Sequence, residues 1–187
     1  MRFILTACLL ATSLAASAPI SDHLRCKQKI ETIVTGKAGR GSRISFSPSE
    51  LNALLNQEVL QIIPGGARDA RVDLGYGTAS GSATVNFLKL MQARGQTPGW
   101  LMTKLVDGWK PLKGTVRMRS GNGWLQVDID HAELSGVTIP AFLIEFVVRQ
   151  FVLPYSPDLK IGQPFALKHN IDRLELQPAG FVVVMRR

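Results

Sequence analysis

The segment from Leu112 to Leu134 leaves this chain little freedom in how it folds. Asn122-Gly123 at its centre is a preferred two-residue hairpin turn, because both residue types tolerate the positive φ such a turn demands. Folding there sets Ser120 opposite Leu125, Met118 opposite Val127 and Val116 opposite Ile129, with Arg117 opposite Asp128. Apolar residues meet on one face and opposite charges on the other. Each such pair contributes about 0.2–1 kcal/mol, and a slip of one residue loses both matches. An antiparallel pair with one buried face is therefore written into the sequence.

The flanking sequence supplies partners for that face. Ser21 to about Thr35 predicts a helix with Leu24, Ile30, Ile33 and Val34 on one stripe. Arg43 to Phe46 reads as a short strand. Ser47-Pro48-Ser49-Glu50 is a capping box with proline at the first helical position, opening a helix to about Gln61 with Leu51, Leu54, Leu55, Val59 and Ile62 inward. Residues 68–88 predict two strands about the turn Gly75-Tyr76-Gly77, with Phe87 in the second. Pro98 to Val106 predicts a short helix, and residues 141–153 one that is apolar nearly all round. Ile171 to Gln177 and Phe181 to Arg187 form a closing hairpin. The expected class is α+β: a curved antiparallel β-sheet built from hairpins, packed on or wrapped around short helices.

The start of the chain bears on compartment. Met1-Arg2, the apolar run Phe3 to Leu14, and Ala15-Ala16-Ser17-Ala18 have the three parts of a secretory leader. Leu5-Thr6-Ala7-Cys8 has the look of a lipoprotein box but sits too early, inside the apolar run. The expected organisation is a signal peptide over 1–18, an N-terminal helix and linker over 19–42, and one domain over 43–187, exported to a periplasm or beyond the cell. Loss of the leader takes Cys8 and leaves Cys26 as a lone thiol, for which an inert, buried position is the plainer reading. It also takes Arg2 and no acid, so the net charge falls from +8 to +7. Such a surface favours anionic partners, lipid headgroups or a membrane surface among them. Export and the scatter of cations among acids argue against nucleic acid.

No catalytic or cofactor motif stands out. His23, His131 and His169 show no metal-ligand spacing, and Gly-x-Ser-x-Gly and Cys-x-x-Cys are absent. The run Asp128-Ile129-Asp130-His131-Ala132-Glu133 puts two carboxylates on one strand face near a histidine. A weak cation site or acid–base work is conceivable there. A solvated charged face, with Arg117 neutralising Asp128 and Asp130 finding Lys113 or Thr115, is the plainer reading. A hydrolase needs His131 and Asp128 or Asp130 in a concave site.

The apolar surplus points elsewhere. Trp100, Leu101, Leu105, Phe142, Phe146, Val147 and Phe151 exceed what a thin, half-buried sheet requires. They either close a dry core or line a groove for acyl chains, each buried methylene being worth about 0.8 kcal/mol. Lys104, Lys110, Lys113 and Lys160 are candidates to hold an anionic headgroup at its mouth. A structural or scaffolding module that uses the 141–153 helix for partner or self association is the alternative.

Some of these residues also carry a resemblance. Ile44-Ser45-Phe46-Ser47-Pro48-Ser49-Glu50-Leu51-Asn52-Ala53-Leu54-Leu55 resembles the strand and "xELNxLL" opening of exported bacterial LmeA-like phospholipid-binding proteins. Leu134-Ser135-Gly136-Val137-Thr138-Ile139-Pro140-Ala141-Phe142-Leu143 resembles their proline-led approach to an apolar helix, and the closing hairpin their terminal strands. Leu153-Pro154-Tyr155-Ser156-Pro157 departs from the pattern. The resemblance implies a tubular lipid-binding fold, a phospholipid or other lipid as partner, and no catalytic residue.

Overall fold

The computed structural model describes residues 21–58, 60, 65–93, 95, 97, 99, 103, 107–141, 144–145, 148–149, 153–154 and 157–187. Among these, three helices and nine strands form an α+β fold: α1 (Asp22–Val34), β1 (Arg43–Phe46), α2 (Pro48–Gln57), β2 (Ala67–Leu74), β3 (Thr78–Val85), α3 (Phe87–Ala93), β4 (Lys110–Gly121), β5 (Trp124–Leu134), β6 (Val137–Thr138), β7 (Phe165–Ala166), β8 (Ile171–Gln177) and β9 (Gly180–Met185). The larger sheet runs β2-β3-β4-β5-β6, with β7 also on β5, and the smaller runs β1-β9-β8. Every pairing is antiparallel.

The hairpin of β4 and β5 has the register its side chains demand: Ser120 faces Leu125, Met118 Val127, Val116 Ile129 and Arg117 Asp128. Asn122 and Gly123 take φ of 51° and 78°, the double positive φ of a type I′ turn. The register then shifts between Thr115 and Val116, so that Thr115 faces His131 and Asp130 is the extra residue of a bulge. The sequence carries the cause. Inward apolar residues fall at 125, 127 and 129, then at 132 and 134, and only an inserted residue reconciles the two parities.

The capping box forms as read. The Ser47 N–H donates to Glu50 Oε2 at 2.9 Å and the Glu50 N–H to Ser47 Oγ at 3.1 Å. Helix α2 ends at Gln57, earlier than the expected Gln61, and Val59 and Ile62 lie outside the described residues. Its Asn52 behaves like a strand partner for β2: Nδ2 donates to the Val72 C=O and Oδ1 accepts from the Val72 N–H, both at 2.9 Å. Asn56 repeats the contact with the Ala70 C=O at 2.9 Å. The helix thereby occupies polar groups on the outer edge of the large sheet that an edge strand otherwise presents to other chains.

Two expectations need correction. Phe87 belongs to α3 and not to β3. Asn86 stops the strand and its Oδ1 accepts from the Lys89 N–H at 3.0 Å, while Phe87, Leu90 and Met91 bury one face at helical spacing. Helix α1 buries Cys26 and Ile33, whereas Leu24 and Val34 remain about half exposed at 51% and 52%. The two short strands β6 and β7 carry no alternation that would announce them.

Two apolar clusters result. Cys26, Ile33, Phe46, Val183 and Met185 join α1, β1 and β9, so the N-terminal helix is part of the same packed body. Val85, Phe87, Leu90, Leu134 and Ile139 close one end of the large sheet. The sheets meet where the Leu174 N–H donates to Ser120 Oγ at 2.9 Å and the Gly77 N–H to the Leu176 C=O at 3.1 Å.

Candidate functional site

The inner face of the large sheet is built from the residues of one parity on each strand. Reading across it, Val72 faces Gly81, Gly81 faces Gly114, and Gly114 faces Ala132. The next row is Leu74, Ala79, Val116 and Ile129. Side chains this small cannot fill the space above the sheet. Over them lies a partly open apolar cleft of about 470 Å³, within the usual range of ligand pockets. Leu55 and Leu60 border it on one side, and Phe87, Ile139, Ile144 and Val148 on others. Ile144 and Val148 come from the apolar 141–153 segment, where the Ile144 N–H donates to the Pro140 C=O at 3.4 Å and the Leu153 N–H to the Val148 C=O at 2.9 Å.

Trp100, Leu101, Lys104, Leu105, Phe142, Phe146, Val147 and Phe151 lie outside the described residues. Of the remaining candidates, Lys113 borders the cleft, though it alternates away from the inner row, is 66% exposed and sits 3.9 Å from Glu133. Lys160 is exposed in the segment before β7, and Lys110 is half-buried at the start of β4. The sequence reasoning missed the floor of the cleft. Its signal is the alternation Ala79-Ser80-Gly81-Ser82-Ala83, which places only small residues on one strand face.

One cation–aromatic group lies at the end of the sheet where β2 and β4 begin. The Arg68 guanidinium is 4.3 Å, and the Lys89 ammonium 5.5 Å, from the centre of the Trp109 ring. Arg68 also lies 3.6 Å from Asp69.

The charged strand face is laced by ion pairs, and its His131, Lys113 and Thr115 also border the cleft. Arg119 pairs with Asp128 at 2.7 Å and Arg117 with Asp130 at 2.8 Å, diagonal to the Arg117–Asp128 pairing expected from register. The long arginine side chains reach past their direct opposites to diagonal carboxylates. Hydrogen bonds from Arg119 and then Gln126 hold the Asp128 carboxyl below its ordinary range. His131 is 3.1 Å from Glu133 and about half exposed. Among the described residues, no group of three or more histidines, cysteines or carboxylates has metal-binding geometry.

Glu50 is a structural charge. It is nearly buried, and Lys29 Nζ lies 2.7 Å from both carboxylate oxygens. Burial pushes its pKa up, but the Lys29 and Ser47 hydrogen bonds and the charges of Lys29 and Arg25 outweigh this and leave it lowered. Cys26 is fully buried and unpaired, and burial raises its thiol pKa.

No protein-family model, curated protein or solved structure matches this chain.

Proposed function

We propose that this protein is an exported, non-catalytic lipid carrier of the cell envelope that holds acyl chain against the inner face of its large sheet. The observation that carries this reading is the 470 Å³ cleft over the Val72, Gly81, Gly114 and Ala132 row. Its lining is almost wholly apolar, which suits a hydrocarbon chain and offers little to a polar metabolite. Solvent exclusion supplies the affinity, at about 0.8 kcal/mol per buried methylene. The secretory character of residues 1–18, the basic balance of the chain and the LmeA-like motifs support the envelope setting and an anionic lipid or membrane surface as partner.

The scaffolding alternative rests on the 141–153 segment as a docking surface. Of its described apolar residues, Ile144 and Val148 border the cleft, Leu153 is half-buried away from it and Ala141 is exposed, as are Glu145 and Arg149. That distribution favours a segment that roofs a ligand. Native mass spectrometry of protein purified from its own host tests the carrier reading, with a fluorescent fatty acid as the second probe. Co-purified lipid and saturable uptake are expected. A protein free of lipid that takes up no fatty acid counts against it.

A further inference from the structure

We infer that the cleft accepts one unbranched chain at a time, so that its ligands are single-chain amphiphiles or one chain of a larger lipid. This deepens the carrier reading and rests on it. An apolar protein cavity of about 150 Å³ holds one benzene, six carbons. The cleft of about 470 Å³ is three times that size, room for about eighteen carbons in contact with its walls. One long acyl chain meets that figure, and the paired chains of a bilayer lipid exceed it roughly twofold.

The walls hold this width. The floor is the paired main chain of β3, β4 and β5, with Gly81 opposite Gly114 and Gly114 opposite Ala132, so it cannot drop away beneath a second chain without breaking the sheet. The closed end is packed by Val85, Phe87, Leu90, Leu134 and Ile139, all less than 10% exposed. Helix α2 is fixed to β2 by the Asn52 and Asn56 side-chain amides. On the sides of the floor, the packed end and α2, widening the cleft for two chains means breaking those bonds or opening that core.

Two measurements on the delipidated protein test this. The first is calorimetric titration with a series of straight-chain fatty acids of about eight to twenty-two carbons, each below its micellar concentration. Affinity should rise about fourfold per added methylene and flatten near about eighteen carbons. A plateau at about ten carbons, or a rise continuing to the longest chain, overturns the single-chain capacity. The second is native mass spectrometry after incubation with vesicles of equal parts monooleoyl and dioleoyl phosphatidylglycerol. One monooleoyl lipid per protein should predominate by about tenfold or more, since a second chain left in water loses its share of burial. A predominant dioleoyl complex, or two monooleoyl lipids on one protein, overturns the inference and leaves the carrier reading standing. Failure to bind any fatty acid or either lipid removes the carrier reading itself.

Discussion

Filling the floor of the cleft separates a ligand site from an imperfect core. Gly81 lies in the middle of β3 on the inner face, without positive φ, and an added Cβ would meet nothing nearer than the Arg71 C=O at 3.9 Å. Gly81→Leu therefore sends a four-carbon side chain into the cleft without backbone strain. Removing a strand glycine contributes about 0.5–1 kcal/mol. Burying leucine adds up to about 1.5–3 kcal/mol, less about 0.5–1 kcal/mol for ordering the side chain. The empty protein should gain about 1–3 kcal/mol, and its Tm should rise by roughly 2–4 °C for each kcal/mol. The same side chain displaces about four ligand carbons, worth about 3 kcal/mol, so oleate affinity should fall about 200-fold. Denaturant unfolding of delipidated protein and calorimetric titration with oleate give the two numbers. A variant that binds oleate as tightly as the parent, or one destabilised by more than about 1 kcal/mol, refutes the reasoning: the space above Gly81 would then be neither the ligand's nor empty.

Other perturbations probe the frame around the cleft. Because the folded pKa of Glu50 lies below its unfolded value, its contribution is complete above the ordinary carboxylate pKa of about 4.3 and is lost as pH falls through the lowered folded value; Glu50→Gln should cost about 1–3 kcal/mol at neutral pH and flatten the acid side of the stability curve measured by urea unfolding. Asn52→Ala strips both bonds to Val72 and should destabilise by about 1–3 kcal/mol in the same assay. Gly123→Ala should lower stability by more than about 1 kcal/mol, because the position has φ of 78°, which alanine adopts only with strain, while the Arg186 guanidinium near the added methyl is the end of a flexible side chain and can swing aside. Cys26 should resist a thiol reagent in the native protein and react only as fast as the structure opens, which stopped-flow absorbance with an aromatic disulfide reagent measures.

Local chemistry was legible in the sequence because its causes lie within a few residues. Asn122-Gly123 and its cross-strand matches fix the β4–β5 register, and Ser47-Pro48-Ser49-Glu50 fixes the start of α2. The bulge at Asp130 is also present as a change of parity between Ile129 and Ala132, but Asp130 continues the outward alternation of Gln126 and Asp128 and so conceals it. Helix α3 was missed because Phe87 extends the alternation of β3, while the Asn86 side chain that stops the strand acts through a bond to Lys89.

The sequence alone determined strands, caps, turns and the apolar surplus, since each depends on neighbours along the chain or on composition. Which apolar residues pack and which leave space is a property of pairing between distant strands. Gly81, Gly114 and Ala132 are unremarkable one by one, and become a floor only when β3, β4 and β5 align them in a row. Among the described residues the tertiary structure thus sets a cleft over the smallest side chains, because an opening is made by side-chain volume that is missing where three strands meet.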